Sequence, residues 1–199
     1  NEHDSCLREF AKKHQIHFFQ GSEQNVLDRF IRAAEEFNIS GVVRVCADNP
    51  FLSQEGFELL GEEWQKSNSI DYLSFKNYLG TPSIKTHWGL FTEFVSLGAL
   101  KKVASLTSNP LYLEHVTNFI YENPDQFNIK LINAPSSAYR REDVRFTIDT
   151  MEDFAVLEKL YSDYLKSYSI FALQNLIEFV DQQPHVLEKM KKNIKANIK

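Results

Sequence analysis

The sequence predicts an α/β fold in which a mainly parallel sheet is flanked by helices. Apolar runs rich in β-branched residues alternate along the chain with amphipathic stretches long enough to be helices, and this alternation is typical of βαβ units. The run GVVRVC at residues 41–46 does not alternate regularly between apolar and polar residues. Such a run is expected of a strand that is covered on both faces of the sheet. A chain of 199 residues can bury about 70% of its unfolded surface in one core.

Capping residues and turn signals separate the elements in the first half of the chain. Ser22 and Ser53 stand where a side chain can accept hydrogen bonds from the free N–H groups of a helix, and Asp4 or Ser5 can do the same for the first helix. The predicted order is a helix at residues 5–14, a short strand-like run at 16–19, a helix at 24–37, a central strand at 41–46, a helix at 53–67 and a strand at 72–75.

The second half begins with an irregular segment, residues 76–91, in which Gly80, Pro82 and Gly89 are turn signals. Two helical stretches after Tyr168 are separated by Pro184, and we interpret them as an appendage to the sheet. The expected division is therefore an α/β domain of residues 1–166 and a C-terminal helical extension of residues 167–199. The predicted order is a strand at 92–96, helices at 98–106 and 111–122, strands at 129–132 and 144–148, and helices at 151–161, 170–181 and 185–198.

Composition and charge argue against several classes of protein. The net charge of −5 disfavours a nucleic-acid surface, which requires clustered Lys and Arg, and the basic tail at residues 189–199 is interpreted as a solvated end. No apolar run approaches the ~20 residues of a membrane span. Cys6 and Cys46 are too few for a disulfide framework or a four-ligand zinc site, so a cytoplasmic location is expected. Because the sequence starts with Asn1 rather than Met, we expect it to begin inside a longer protein.

Two aspartates follow predicted strands, at the sheet edge where α/β proteins bind ligands. Asp48 comes after the strand at 41–46, and Asp149 comes after the strand at 144–148. If those strands are neighbours, the two carboxylates form an oxygen site suited to Mg²⁺. The alternative is purely local, because Asp is also favoured in a turn before Pro50 and at the N-terminus of the helix near residue 151.

Five blocks of sequence carry a resemblance to a known family. They are GSEQNVLDRF at residues 21–30, VVRVCADNP at 42–50, GLFTEFVS at 89–96, EHVT at 114–117 and RFTIDT at 145–150, the last followed by Asp153 and Phe154. In this order they resemble the cytidylyltransferases that include spore coat polysaccharide biosynthesis proteins and the acylneuraminate and deoxyoctulosonate enzymes. The resemblance implies a Rossmann-like nucleotidyltransferase sheet.

The resemblance also implies an enzyme that activates a sugar. In this family the anomeric hydroxyl of an acidic sugar attacks the α-phosphate of CTP, pyrophosphate leaves and a CMP-sugar forms. Such a transfer depends on positioned reactants and on Mg²⁺ more than on covalent catalysis. By this similarity Asp48 and Asp149 are the expected catalytic metal ligands, CTP and a sugar acceptor are the expected partners, and a homodimer is suggested.

Further residues of the matching blocks are expected to bind substrates. Arg29 and Arg44 are the expected nucleotide-binding residues, because a guanidinium can hold a phosphate or a base edge through two N–H groups. Two alternatives stay open: Arg44 pairs with a carboxylate such as Asp48, and Arg29 forms a surface salt bridge. His115 is either a general base or a structural residue of its helix. The expected acceptor-binding residues are Glu93, His115 and Arg145.

This chain departs from the family's pattern in two places. The family's first strand and its triphosphate-binding loop are expected upstream of Asn1. Where the family has Pro-Arg-Gly-Leu-Asp, this chain has HWGLF at residues 87–91, which predicts an aromatic surface in place of a charged acceptor contact. Two alternative functions are kept. One is a sugar-nucleotide glycosyltransferase, which has a similar α/β architecture with metal-binding carboxylates after a central strand. The other is a non-catalytic interaction module, in which loss of the triphosphate loop and the aromatic residues at 88–91 create a partner surface.

Overall fold

The structure, a computed structural model, describes residues 5–66 and 69–197. The predicted Asp4 cap and the predicted helix ends at Ser67 and Ile198 lie outside these residues. The strands are β1 (Gly41–Arg44), β2 (Tyr72–Lys76), β3 (Glu93–Ser96) and β4 (Ile129–Asn133). The helices are α1 (Ser5–Lys13), α2 (Val26–Glu36), α3 (Gln54–Gln65), α4 (Leu97–Leu106), α5 (Pro110–Glu114), α6 (Asn118–Glu122), α7 (Ser136–Tyr139), α8 (Met151–Ser167), α9 (Leu173–Asp181) and α10 (Pro184–Ala196).

Within the described residues the four strands form one sheet in the order β1-β3-β2-β4. Strands β2 and β4 run parallel, with Tyr72 opposite Ile129 at one end of the pair and Lys76 opposite Asn133 at the other. The first four residues of β2 are all buried, as expected of a strand that is covered on both faces. These observations confirm the α/β class.

Strands β1 and β3 run in opposite directions, so the sheet is mixed rather than mainly parallel. At one end the Leu97 amide, just after β3, donates to the carbonyl of Ser40, just before β1, at 2.8 Å. At the other end Arg44, the last residue of β1, pairs with Glu93, the first residue of β3. Residues 77–92 connect β2 to β3 through a 3-10 turn and not through the helical crossover that joins successive parallel strands.

Three predicted elements differ from the structure in detail. Residues 16–19 form no strand, and residues 144–148 are extended without belonging to the sheet. The helix predicted at 111–122 is divided into α5 and α6, because His115 has φ −95° and ψ 74°, outside the helical region. The extended segment 144–148 nevertheless positions the candidate site described below.

The first of two compact units comprises the chain up to Val42 together with Val95–Asn128. Helix α2 begins at Asn25, whose side chain accepts a hydrogen bond from the Asp28 amide at 2.9 Å, and it packs against α4 and α5. The core of this unit includes Leu27, Leu100 and Val103, which are fully buried. The unit is therefore a helical cluster around one apolar centre.

The second unit comprises Val43–Phe94 and Ile129–Lys199. Its core includes Leu73 and Phe75 of β2 as well as Leu176 and Val180 of α9, all fully buried. The C-terminal helices thus contribute directly to the core of this unit. The division into a domain of residues 1–166 and an extension of residues 167–199 stays a prediction. Among the helices that the structure describes, none has the length and apolar character required to cross a bilayer.

Candidate functional site

The two predicted aspartates lie at neighbouring backbone positions in the second unit. The Ile148 amide, one residue before Asp149, donates to the carbonyl of Asp48 at 2.9 Å. Asp48 follows β1 by a few residues, and the extended segment 144–148 runs alongside it. The structure therefore brings together the backbones of the two residues that the sequence separates by about a hundred positions.

A small cavity of about 40 Å³ lies against Asp48, and Asn49, Thr86, Trp88 and Thr147 are among its lining residues. The Oδ1 atom of Asn49 is buried and has no hydrogen-bond partner among the described residues. The half-buried Asp48 carboxylate also has no hydrogen-bond partner within the described part of the chain. A buried polar atom without a partner is costly, and this cavity has the volume for a water molecule or a cation that would satisfy both groups.

The Asp149 carboxylate accepts hydrogen bonds from neighbouring side chains and is also partly exposed to solvent. Its side chain is 40% exposed, and its Oδ2 atom accepts from the Arg145 guanidinium at 2.5 Å. Thr147 Oγ1 donates to the same oxygen at 3.3 Å. These contacts restrict the carboxylate to one orientation while leaving part of it accessible to solvent.

Arg145 is the centre of the hydrogen bonds that orient Asp149. Its guanidinium is buried and donates to both oxygens of Asp153, at 3.0 Å from Nε to Oδ1 and from Nη2 to Oδ2. Its Nη1 atom lies 2.6 Å from His87 Nδ1, and because a guanidinium only donates, this imidazole nitrogen accepts. The hydrogen bond with Asp153 raises the pKa of Arg145 above its ordinary value, and burial opposes that shift. The expected role of Arg145 in binding the acceptor stays a prediction.

Asp153 connects this arrangement to helices α8 and α10. Its carboxylate accepts from the Asp149 amide at 3.1 Å and forms a capping box with Thr150 at the start of α8. Asn193 of α10 donates to Asp153 Oδ1 at 3.1 Å. Burial alone would raise the pKa of this carboxyl group, but the hydrogen bonds from Arg145, Thr150 and the backbone hold it well below its usual range. The sequence contained a signal for this residue, the Thr-x-x-Asp spacing of a capping box.

Arg44 forms an ion pair with the buried carboxylate of Glu93, so it has a carboxylate partner, as one of the alternatives for Arg44 expected. Its Nε atom donates to Glu93 Oε1 at 2.5 Å, and the Tyr72 hydroxyl donates to Glu93 Oε2. Arg44 therefore pairs with Glu93 and not with Asp48. Burial alone would lower the pKa of Arg44, but the attraction of Glu93 and its hydrogen bond, together with smaller contributions, raise it above its ordinary value. The expected substrate contacts of Arg44 and Glu93 stay predictions.

Arg29 and His115 belong to the first unit. Arg29 Nη1 donates to the carbonyl of Ser22 at 3.0 Å, which is a local contact in place of the surface salt bridge considered from sequence. His115 is exposed and follows the last residue of α5. Their expected roles in nucleotide and acceptor binding are not decided by these contacts.

The segment HWGLF at residues 87–91 does not form an aromatic surface, and that prediction is wrong. Trp88 is 2% exposed, Leu90 is fully buried and Phe91 is 8% exposed. The Trp88 indole N–H donates to the carbonyl of Arg141, and His87 contacts Arg145 as described above. The segment turns inward at Gly89, where φ is +59° and the Phe146 backbone passes close by. An interaction module based on these aromatic residues is therefore not supported.

Asp48 and Asp149 carry the kind of oxygen ligand that magnesium takes in nucleotide sites, and their role as metal ligands stays a prediction. No cluster of three His, Cys, Asp or Glu side chains that could hold a metal occurs in residues 5–66 and 69–197. Magnesium in nucleotide sites is typically held by one or two carboxylates, with substrate phosphates and water completing the octahedron. Asp48 and Asp149, with adjacent backbones and a buried Asn49 oxygen without a partner beside Asp48, are the residues that could supply such carboxylates.

Comparisons with known proteins place the chain in a family. A model of the family described as cytidylyltransferase matches residues 2–193. An uncharacterized protein of Methanocaldococcus jannaschii is 32% identical over 200 residues, which cover 98% of this chain and 74% of the relative. The spore coat polysaccharide biosynthesis protein SpsF of Bacillus subtilis is 30% identical over 161 residues, which cover 80% of this chain and 63% of the relative.

A solved structure shows the same fold. The structure of a cytidylyltransferase from Leptospira borgpetersenii matches this chain with a TM-score of 0.78 and 27% identity, covering 92% of this chain and 74% of the other. The family match extends over almost all of the sequence and confirms the resemblance carried by the five blocks. The chain belongs to the cytidylyltransferase family.

Proposed function

We propose that the chain carries the metal site of a Mg²⁺-dependent CTP:sugar cytidylyltransferase. In the proposed reaction the anomeric hydroxyl of an acidic sugar forms a bond to the α-phosphorus of CTP, the bond to pyrophosphate breaks, and the hydroxyl proton is released. The observation that supports the proposal is the hydrogen bond from the Ile148 amide to the Asp48 carbonyl, since it makes the backbones of Asp48 and Asp149 neighbours. The name of the Bacillus relative supports a role in the synthesis of a cell-surface polysaccharide.

The residues of this chain would act by holding charge in fixed positions. Mg²⁺ bound by Asp48 and Asp149 would neutralise the negative charge that develops on the phosphates during transfer. Arg145 and Thr147 orient the Asp149 carboxylate, so its position is set before substrates arrive. Such preorganisation lowers the reorganisation needed at the moment of reaction.

The nucleotide-binding proposal rests more firmly on Arg29 than on Arg44. The charge of Arg44 is already neutralised by Glu93, whereas the guanidinium of Arg29 contacts only a carbonyl oxygen among the described residues. A guanidinium without a carboxylate partner keeps its full charge for a phosphate. We therefore propose Arg29 as a phosphate contact and Arg44 as support for the end of β1.

The test is the release of pyrophosphate from CTP in the presence of Mg²⁺ and a panel of ulosonic and nonulosonic acids. Asp48→Asn and Asp149→Asn are each expected to lower the rate by on the order of a hundredfold or more, because each removes a metal ligand. Asp125→Asn, at an exposed position of the first unit, serves as the matched control and should leave the rate unchanged. If the protein neither releases pyrophosphate nor binds CTP in a calorimeter, the proposed function is wrong.

A further inference from the structure

The half-buried imidazole of His87 contacts the guanidinium that orients Asp149, at 2.6 Å from His87 Nδ1 to Arg145 Nη1. We infer that His87 is a positioning residue for the Asp149 carboxylate and makes the candidate metal site sensitive to pH. The neutral imidazole keeps Arg145 in place, and the protonated imidazole does not. The inference rests on the proposed function and adds its regulation by protons.

Backbone contacts fix the position of His87 next to Arg145. The Phe146 amide donates to the carbonyl of His87 at 3.1 Å, so the two chain segments are neighbours at this point. Two residues later the chain turns at Gly89, where a Cβ atom would lie 2.7 Å from the Phe146 carbonyl group. The neighbouring Trp88 side chain is buried. The imidazole is therefore held beside the guanidinium by the path of the chain.

The direction of this hydrogen bond defines the protonation state of His87. A guanidinium carries only donors, so the Nδ1 atom of His87 must offer a lone pair to Arg145. The ring is then neutral and carries its proton on Nε2. Protonation would point an N–H group at the N–H group of Arg145 and would bring two positive charges into contact. The hydrogen bond therefore cannot persist once His87 is protonated.

Loss of this hydrogen bond is expected to disturb Asp149 more than Asp153. The Arg145 side chain is 1% exposed, so few other acceptors can replace the imidazole. Asp153 is buried and is also held by Thr150 and Asn193. The Asp149 side chain is 40% exposed and has fewer contacts to restrain it. A shift of the guanidinium away from a protonated His87 should therefore change the orientation of the Asp149 carboxylate.

Charged groups of both signs surround His87, from several segments of the second unit. Asp149 and Asp153 accept from the guanidinium that His87 contacts. Because positive and negative groups oppose each other here, the pH dependence of the parent alone does not identify the group that titrates, whereas replacement of His87 does. The other charged groups that line the same cavity as His87 are Lys85 of its own connection, Arg141 and Glu142 of the segment after α7, and Lys195 of α10, and Arg141 is itself paired with Asp143 and Asp181.

NMR of protein labelled with ¹⁵N-histidine and ¹³C-aspartate tests the arrangement without metal or substrate. At about pH 8 His87 should be neutral with its proton on Nε2, and its protonation between about pH 8 and about pH 5 should shift the Asp149 carboxyl resonance in step. In His87→Asn, whose side-chain oxygen can accept from Arg145 at every pH, this step should be absent. A proton on Nδ1 in the parent at pH 8 would overturn the inference, as would an unchanged Asp149 profile in the variant. The tautomer in the parent can be measured even if the variant does not fold.

The Mg²⁺ requirement of pyrophosphate release provides the second measurement. Between about pH 7.5 and about pH 5.5, the Mg²⁺ concentration that gives half of the maximal rate should rise about tenfold more for the parent than for His87→Asn, because only the parent loses a charged hydrogen bond. His87→Lys places a permanent cation beside Arg145 and should show the high requirement already at the upper pH. His185→Asn is the matched control, because His185 is exposed in the first turn of α10, and its profile should follow the parent.

The two proposals fail differently. A shift of the Asp149 resonance that follows His87, without pyrophosphate release at any pH, would contradict the proposed function alone. Pyrophosphate release whose Mg²⁺ requirement has the same pH profile in the parent and in His87→Asn would contradict the role of His87 alone.

Discussion

At the residue scale, the Asp153 carboxylate is a buried charge that several hydrogen-bond donors surround. It is 3% exposed and accepts hydrogen bonds from the Arg145 guanidinium, the Thr150 hydroxyl and the Asn193 amide. A buried charge is tolerated only when it is paired and hydrogen-bonded. Asp153 is therefore a positioning residue for Asp149, acting through Arg145 and through the Asp149 backbone.

Asp153→Asn should destabilise the protein by about 3 kcal/mol at neutral pH, because it leaves buried Arg145 without its main partner. The pKa of Asp153 lies below its ordinary value of 3.8. Its stabilising contribution is therefore complete above that value and is lost as the pH falls through the folded-state pKa. Urea unfolding between about pH 6 and about pH 2 should show a smaller acid-dependent loss of stability in the variant than in the parent.

Asp163→Asn provides the comparison for this experiment. Lys159 and Lys166 lower the pKa of Asp163 to about 2, but the pair lies at the surface, where solvent screens the interaction. We expect Asp163→Asn to change the stability of the protein much less than Asp153→Asn does. A pH profile for Asp153→Asn that follows the parent would contradict the role assigned to this carboxylate.

Gly89 is required by the path of the chain next to the candidate site. It has φ +59°, and a Cβ atom there would lie 2.7 Å from the Phe146 carbonyl group. Gly89→Ala should therefore destabilise the protein by about 2 kcal/mol or more. Gly61→Ala is the control, since Gly61 lies within α3 and a Cβ atom added there would meet no atom within 4 Å apart from its chain neighbours and the backbone of its own helix. This variant should be more stable by about 0.5–1 kcal/mol. Thermal unfolding of the two variants checks both signs.

At the scale of the elements, one buried ion pair joins the end of β1 to the start of β3. Arg44 and Glu93 are 49 residues apart in sequence, and Tyr72 at the start of β2 donates to the same carboxylate. Side chains from three strands of the sheet are thus joined at the Glu93 carboxylate.

Glu93→Gln should destabilise the protein by about 3 kcal/mol, because it leaves the Arg44 charge buried without a counter-charge. Adding Arg44→Met to this variant should recover part of the loss, since no unpaired charge then remains and the glutamine still accepts from Tyr72. Chemical unfolding of the single and double variants measures the coupling. If Arg44→Met lowers the stability of the Glu93→Gln variant by as much as it lowers the stability of the parent, the two residues are not coupled.

At the scale of the whole molecule, the C-terminal helices share their core with the sheet of the second unit. Leu173, Leu176 and Val180 of α9 and Met190 of α10 lie in the same buried cluster as Leu73 and Phe75 of β2. Asn193 adds a polar contact from α10 to the residues that hold Asp149. Folding of these helices and formation of the candidate site should therefore be coupled.

Leu176→Ala should destabilise the second unit as a whole by about 3 kcal/mol, because it leaves a cavity in a contiguous core. Ile170→Ala, at a position that is 76% exposed, should have little effect. Hydrogen exchange provides the decisive measurement: the amides of β2 should lose protection together with those of α9. Loss of protection restricted to α9 and α10 would instead support the prediction of a separate extension at residues 167–199.

The sequence by itself determined the α/β class, most of the helices and the family. Helical periodicity, caps such as Ser53 and Thr150, and the β-branched run at 41–46 depend on neighbouring residues, so they can be read without knowledge of the tertiary structure. The same is true of the five family blocks and of the two aspartates that follow extended segments. The sequence therefore indicated Asp48, Asp149 and Arg145, but it did not indicate the contacts of Asn49, His87 and Asp153 around them.

Only the tertiary structure decided how those residues are paired. The opposite direction of β1 and β3, the pairing of Arg44 with Glu93, the burial of Trp88 and the link from Asn193 to Asp153 all join residues that are distant in sequence. A charged side chain on a strand indicates that a partner is needed, but the path of the chain determines which carboxylate is within reach. The free-energy cost of burying a charge is low only when a partner of opposite charge is present. Because the fold supplies that partner, the fold and not the local sequence decides this cost.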